Sequence, residues 1–345
     1  AWRHDRAELD LSAFSRGDGP GGAVKDASAH FQSGTAGSRR EPVRLLGRLA
    51  DAGVAGGLAI GGRKPEWLRP KVRLGPEVLA VKSTLRTLGL VTVCEEAGCP
   101  NLSECWADGT ATFMVLGERC TRACGFCLVD TQKPNAPDLD EPQRVAEAVE
   151  RMGLDHVVIT MVARDDLVDG GAAHVATTVE AIRGRVPHAA VEVLVSDFKG
   201  VPTSIDTVIA ARPDVFNHNL ETVARLQRAV RPSAGYARSL AVLSRAKAAA
   251  LTTKSGMIVG MGETDGEIEG ALADLAAVGC SIVTIGQYLR PTSHHLPVHR
   301  WVTPETFESY RRIGRDLGIG HIEASPLTRS SYHAKQAAMS PSPVG

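Results

Sequence analysis

Six of the seven cysteines fall into two triplets, Cys94, Cys99 and Cys105 (Cys-x4-Cys-x5-Cys) and Cys120, Cys124 and Cys127 (Cys-x3-Cys-x2-Cys). A structural zinc ion closes its tetrahedron with four protein ligands, whereas three thiolates on a four-iron cluster leave one iron open to another molecule. Neither triplet contains a His, Asp or further Cys spaced to complete a zinc knuckle, although zinc held by the two triplets together is a competing arrangement. A disulfide framework suits small secreted chains; this chain is long, has an odd cysteine count and shows no apolar signal segment. Cys280 stands apart at the start of the apolar run 281–285, where a buried core thiol is expected.

Such thiols need a scaffold. From about Ala111 the chain alternates short β-branched runs with longer helical stretches, the pattern of parallel βα units. Strands are predicted at 112–116, 156–160, 190–195, 215–217, 253–259 and 281–285, and helices at 142–151, 172–185, 220–229, 236–250 and 265–278. Six repeats predict an α/β fold, a partial (β/α)6 TIM-type barrel, with its chemistry at the C-terminal ends of the strands. The second triplet directly follows the first of these strands. Polar residues at the other strand ends become candidates: Arg164, Asp165 and Asp166 after the second, Glu192 in the third, His218, Asn219 and Glu221 after the fourth, and Gln287, Tyr288 and Arg290 after the sixth. Each could equally cap a helix or satisfy loop backbone. His294, His295 and His299 lie in a Pro-flanked loop, expected to face solvent or substrate rather than a metal. Lys199, Lys254 and Arg290 would meet an acidic partner or stand as solvated charges.

Around the barrel, assigned to 111–300, three further segments are expected. Residues 1–63 are rich in Gly, Ala, Ser and Arg without sustained periodicity, as a disordered segment would be. Residues 64–110 form an N-terminal extension, with a helix at 76–88 leading to the first triplet, and 301–345 form a C-terminal helix and tail. The 39 Lys and Arg equal the 39 Asp and Glu, which lacks the basic excess of a nucleic-acid binder. No apolar run is long enough to span a membrane. Asp5, Glu8 and Asp10 fit poorly with an acidic-poor mitochondrial presequence, so the bacterial cytoplasm is favoured over the mitochondrial matrix.

The run Cys120-Thr-Arg-Ala-Cys124-Gly-Phe-Cys127 resembles the loop signature of the radical S-adenosylmethionine (SAM) superfamily, with Phe126 as the aromatic before the last cysteine. The first triplet, Cys94-Glu-Glu-Ala-Gly-Cys99-Pro-Asn-Leu-Ser-Glu-Cys105, and the late motif Arg329-Ser330-Ser331-Tyr332 make the chain similar to the lipoyl synthase family over about residues 64–338. That resemblance implies two 4Fe-4S clusters. One sits on Cys120, Cys124 and Cys127 with SAM on its fourth iron; the auxiliary one sits on Cys94, Cys99, Cys105 and Ser331. Ser331 would set a hard alkoxide beside three soft thiolates, a ligand that leaves readily.

The resemblance further implies a sulfurtransferase. Two sulfur atoms of the auxiliary cluster would enter carbons six and eight of an octanoyl chain carried on a lysine of a lipoyl carrier domain. Such domains are those of 2-oxoacid dehydrogenase E2 components and the glycine cleavage H protein. A ferredoxin or flavodoxin would supply electrons, and an iron–sulfur cluster delivery protein would load the clusters. Gly256, Ile258 and Gly260 resemble the pattern that supports the adenine of SAM; a dinucleotide fingerprint is disfavoured because the first glycine lies inside a predicted strand. Phe126, Glu192 and Asn219 join them as candidate SAM contacts, and Arg329 and Arg164 as catalytic support. One departure stands out: Thr160-Met161-Val162 occupies the place where many superfamily members carry Gly-Gly-Glu for the SAM amino group. That contact is unassigned, and Met161 is larger than the residue expected there. Two rival readings are another radical SAM enzyme with an auxiliary cluster, which would lack this triplet-plus-serine arrangement, and a zinc-binding interaction module.

Overall fold

The computed structural model describes residues 40–59, 62–70, 75–96, 99–107, 111–332 and 334–339. The disorder expected for residues 1–39 lies outside the described residues. Eight strands form one sheet: β1 (Val91–Thr92), β2 (Thr112–Val115), β3 (His156–Met161), β4 (Ala190–Leu194), β5 (Val215–Asn217), β6 (Thr252–Val259), β7 (Ile282–Gln287) and β8 (His321–Ser325). They lie side by side in chain order, β1 antiparallel to β2 and every later pair parallel. A helix of nine or more residues occupies each parallel crossover: Glu141–Met152, Ala172–Arg185, Pro202–Ala210, Tyr236–Ala248, Asp265–Ala277 and Pro304–Asp316.

The strands are Val-, Ile- and Thr-rich because a parallel sheet is covered on both faces. All of β2 and β7 is buried, as is all of β3 except Met161. One apolar core gathers β2 to β4 with their helices, including Phe113, Ile159 and Val193. The other lies around β6 to β8, including Val259, Leu272 and Ile285.

The six predicted strands are present with ends shifted by a residue or two, and the partial barrel is the observed fold. Four corrections follow. Residues 321–325, expected within a helix and tail, form β8, which has only two buried positions and carries His321 and Glu323 on its other face. The antiparallel β1 adds a short edge. The helix expected over 220–229 is shortened: a bridge joins Glu221 to Met257, a 3-10 turn follows at Ala224–Leu226, and only Gln227–Val230 is α-helical, while the crossover helix Pro202–Ala210 starts with Pro at its first turn. Finally, within the segment expected to be disordered, residues 40–51 are helical, and Leu49 and Val54 are buried in the core around β6 and β7.

Candidate functional site

At the C-terminal ends of the strands opens a cavity of about 360 Å³. Its walls include Met114 of β2, Met161 of β3, Leu194 of β4, Ile258 of β6 and Thr284 of β7. Cys120, Cys124 and Cys127 line it, and so do Cys94 and Cys99. The seven cysteines form no disulfide.

The Cys120 loop is built by backbone contacts. Leu116 leaves β2 with φ +69°, its N–H donating to Glu141 Oε2 at 2.8 Å. Cys120 N donates to the Asp130 carbonyl at 2.8 Å, and Thr121 donates to the Ala163 carbonyl through both N and Oγ1, each at 2.9 Å. Gly125 is gripped from two sides, its N–H donating to Val230 O at 2.8 Å and its carbonyl accepting from Leu296 N at 2.9 Å. A Cβ at Gly125 would lie 2.7 Å from Leu296 Cδ1, so glycine permits that approach. His295, from the Pro-flanked loop, lies 2.9 Å from the Cys127 carbonyl through Nε2 and 2.8 Å from the Thr292 hydroxyl through Nδ1. Burial holds its imidazole below the usual range. The neutral ring therefore donates from Nε2 to the carbonyl and accepts at Nδ1.

Arg122, between the first two cysteines of this loop, forks onto Asp165 with two bonds of 2.8 Å and reaches Asp197 Oδ1 at 2.7 Å. Burial pushes the Cys124 thiol up to about 11 and the Cys127 thiol up to about 12; neighbouring thiols add to both, while Arg231 opposes the rise at Cys124. Thiols as raised as those of Cys124 and Cys127 ionise only against a strong positive partner such as iron. Among the described residues no three His, Cys, Asp or Glu side chains gather closely enough to hold a single metal ion. A four-iron cluster asks for something different, thiolates spread around a cube.

The first triplet lies after β1. Cys94 is on the turn of helix Val93–Glu96, Cys99 N donates to the Cys94 carbonyl at 2.9 Å, and Cys105 is on helix Leu102–Ala107. Burial, then Cys99, pushes Cys94 up to about 12. Cys105 is outside the cavity lining, but it stands near Tyr332, whose hydroxyl is held above the usual phenol range by burial and then by Glu104 and Cys105. The C-terminal tail thus reaches this triplet, and Asn101 Nδ2 ties it there by donating to Leu327 O at 2.7 Å.

The tail crosses the cavity. A Cβ at Gly286 would overlap Thr328 O, so the tail can lie on β7 only over glycine. Arg329, Ser330 and Ser331 line the cavity. Burial holds the Arg329 guanidinium below its usual range, and its positive charge draws the Cys99 thiol down against burial. Among the described residues no carboxylate pairs with Arg329. A partly buried, unneutralised cation beside thiols suits an anionic cluster. No described residue hydrogen-bonds the Ser331 hydroxyl; the bonded serine is Ser330, whose Oγ accepts from Asn219 Nδ2 at 2.6 Å.

The other candidates separate. Phe126, Asn219 and Ile258 line the cavity. Gly256 lies behind the wall, where a Cβ would approach Asn219 Oδ1 to 2.7 Å, Thr284 Oγ1 to 2.9 Å and Ser330 Oγ to 3.0 Å. Gly260 has φ +105° and leaves room for Gln287 rather than for the cavity. Glu192 is fully buried outside the lining, held by Lys254 Nζ at 2.9 and 3.0 Å and by Asn217 Nδ2 at 2.8 Å. Lys254 is therefore neither solvated nor available to a partner. Arg164 is also outside the lining; it grips Asp166 and the carbonyls of Leu116 and Asn135, joining the loops after β2 and β3. Lys199 and Arg290 likewise spend their charge on backbone carbonyls. Sequence reasoning missed Arg231, which lines the cavity and donates to Asn219 O at 2.8 Å. It also missed the gripping roles of Arg122 and His295. The position of Arg122 inside the triplet was a signal for it, and His295 stood out in its Pro-flanked loop but was expected only to face solvent or substrate; Arg231 carries no signal in its local sequence.

Parallel strands topped by a three-cysteine loop make this a protein of the radical SAM class, and the family model described as the Radical SAM superfamily matches residues 114–275. Among solved structures, Streptococcus suis SuiB bound to precursor peptide SuiA aligns with a TM-score of 0.50 over 86% of this chain and 63% of that chain, at 9% identity, a likeness of fold alone. A second family model, the N-terminal domain of lipoyl synthase of the Radical_SAM family, matches residues 59–99. The lipoyl synthase of Rubrobacter xylanophilus is 56% identical over 275 residues, covering 79% of this chain and 86% of its own length. That of Chlorobaculum parvum is 53% identical over 276 residues, covering 79% and 94%. The chain belongs to the lipoyl synthase family, as a sulfur-inserting enzyme that works with SAM and iron–sulfur clusters. No described helix is long and apolar enough to cross a membrane.

Proposed function

We propose that this enzyme inserts two sulfur atoms at carbons six and eight of an octanoyl chain on a lipoyl carrier domain, using two 4Fe-4S clusters. Cys120, Cys124 and Cys127 hold the cluster that binds SAM; Cys94, Cys99, Cys105 and Ser331 hold the auxiliary cluster. The observation that carries this reading is the shared cavity, lined by Cys120, Cys124 and Cys127, by Cys94 and Cys99 of the first triplet, and by Ser331, whose hydroxyl no described residue bonds. When bound, these groups supply one-electron hydrogen abstraction and the inserted sulfur.

The protein's own part is positioning. Arg122 and His295 hold the cysteine loop, and Arg329 offsets negative charge beside Cys99. The buried Oδ1 of Asn219 has no donor, and burial holds the Glu221 carboxyl above its usual range, with Arg231 opposing. Asn219 and Glu221 line the cavity as contacts for the hydroxyl-bearing part of SAM, with Phe126 and Ile258 as further contacts. Gly256, Gly260 and Arg164 serve this site from behind, by packing and loop anchoring, whereas Glu192 serves the barrel interior. The apolar wall of Met114, Val129, Met161, Val162 and Leu289 suits an acyl chain. A ferredoxin or flavodoxin gives the electron, a cluster delivery protein loads the iron, and the setting is the bacterial cytoplasm.

Iron, labile sulfide and zinc content of anaerobically reconstituted protein, followed by incubation with SAM, reductant and an octanoylated carrier peptide, tests the reading. The expected result is about eight irons and eight sulfides per chain and a thiolated peptide. Four irons with deoxyadenosine but an unmodified peptide would point to a radical SAM enzyme of other purpose. Zinc without sulfide would remove the redox reading altogether.

A further inference from the structure

Asn219 spends both hydrogens of its amide nitrogen. Nδ2 donates to Glu221 Oε1 at 2.9 Å and to Ser330 Oγ at 2.6 Å. With Glu221 as a carboxylate, which only accepts, the amide nitrogen faces Glu221 and Oδ1 faces away. Oδ1 is left buried without a donor in a residue that lines the cavity. Ser330 is the neighbour of Arg329, which stands by Cys99, and of Ser331, which lines the cavity and whose hydroxyl no described residue bonds. Gly256 makes the meeting possible, since a Cβ there would come within 2.7 Å of Asn219 Oδ1 and 3.0 Å of Ser330 Oγ. The loop after β5 and the C-terminal tail, 111 residues apart in sequence, are thus joined by one side-chain hydrogen bond inside the cavity.

We propose that Ser330 is a positioning residue that couples the tail to the SAM pocket: its hydroxyl holds the Asn219 side chain in the pocket wall, and Asn219 in return holds the tail that carries Arg329 and Ser331. This rests on Asn219 being a SAM contact. Coupling of this kind is reciprocal, so SAM binding steadies the tail as much as the tail favours SAM. A ligand of the auxiliary cluster then becomes more firmly seated when the pocket at the other cluster is filled. Ser330 touches neither cluster in this scheme; it acts through Asn219.

The test uses the two-cluster protein without reductant. SAM affinity is measured by equilibrium dialysis, and hydrogen exchange of residues 327–332 is followed with and without SAM, for the native chain, Ser330→Ala, Asn219→Ala and the double variant. Ser330→Ala is expected to keep its iron and its melting temperature, to bind SAM about fivefold more weakly, and to lose the SAM-dependent slowing of exchange that the native tail shows. The double variant is expected to bind SAM no more weakly than Asn219→Ala alone, because the two act as one unit. Native affinity in Ser330→Ala with weak binding in Asn219→Ala would overturn the coupling and leave the SAM contact standing. Native affinity in both would overturn the contact and the coupling together. Slowing of tail exchange that survives in Ser330→Ala would also overturn the coupling.

Discussion

At the scale of residues, the two triplets differ in what surrounds their sulfur. Cys124 and Cys127 are enclosed by Arg122, Arg231 and the His295 clasp, whereas Cys99 has Arg329 and the tail. Different surroundings should give separable losses. Cys124→Ala is expected to abolish deoxyadenosine formation, by about a hundredfold or more, because a ligand of the SAM-binding cluster is gone. Cys99→Ala is expected to keep deoxyadenosine formation and lose the thiolated product, and Ser331→Ala to keep most of its iron and lose product likewise. Chromatography of deoxyadenosine and peptide, with iron analysis of each variant, reads all three. Deoxyadenosine persisting in Cys124→Ala would sink the assignment of that loop. The cysteines were legible because thiolate spacing is a property of sequence; Arg231 was not, because nothing near it in the chain foretells a guanidinium turned to the Asn219 carbonyl.

Elements decide how closely these groups meet. The ends of β5, β6 and β7 and the tail converge over Gly256, where three polar atoms occupy the space a side chain would need. Gly256→Ala is expected to cost about 1–3 kcal/mol, as overpacking does, and to weaken SAM binding, because Asn219 and Ser330 must part to admit the methyl. Denaturant unfolding and SAM dialysis measure the two effects; unchanged stability and affinity would show that the convergence is looser than described. β8 escaped sequence reasoning because its alternation is short and carries His321 and Glu323. The segment 220–229 has helical spacing but is held against β6 by the Glu221 bridge. Tertiary pairing overrode local propensity there.

For the whole molecule, the barrel interior holds an ion pair with no exposure, Glu192 with Lys254, and His156 Nε2 stands 3.8 Å from Glu192 Oε2. Lys254 and its neighbours hold the Glu192 carboxyl below its usual range in spite of burial. Lys254→Met is expected to cost about 3–5 kcal/mol, because it strands a buried carboxylate, while the pair Lys254→Met with Glu192→Leu should recover much of that loss. Urea unfolding of the apoprotein reads the difference; a single substitution costing under about 1 kcal/mol would mean the interior is wetter than its packing implies. The pair lies beneath the cavity chemistry and ties β4 to β6, so its role is to the barrel and not to SAM.

Some properties of this protein were already determined along the chain: the thiol triplets, the strand-helix alternation and the Arg-Ser-Ser-Tyr run are all local patterns. Each depends on residue type and spacing, which a sequence carries intact. What only the tertiary structure decided is which side chains share a space. Glu192 looked like a SAM contact, and Lys254 like a cation for an acidic partner or a solvated charge, yet they neutralise each other across 62 residues of sequence. Ser330 and Ser331 look alike in sequence, yet one is bonded to Asn219 and the other is left open beside the cavity. Burial and pairing are set by the closing of the sheet, a sum over distant contacts that no window of sequence contains.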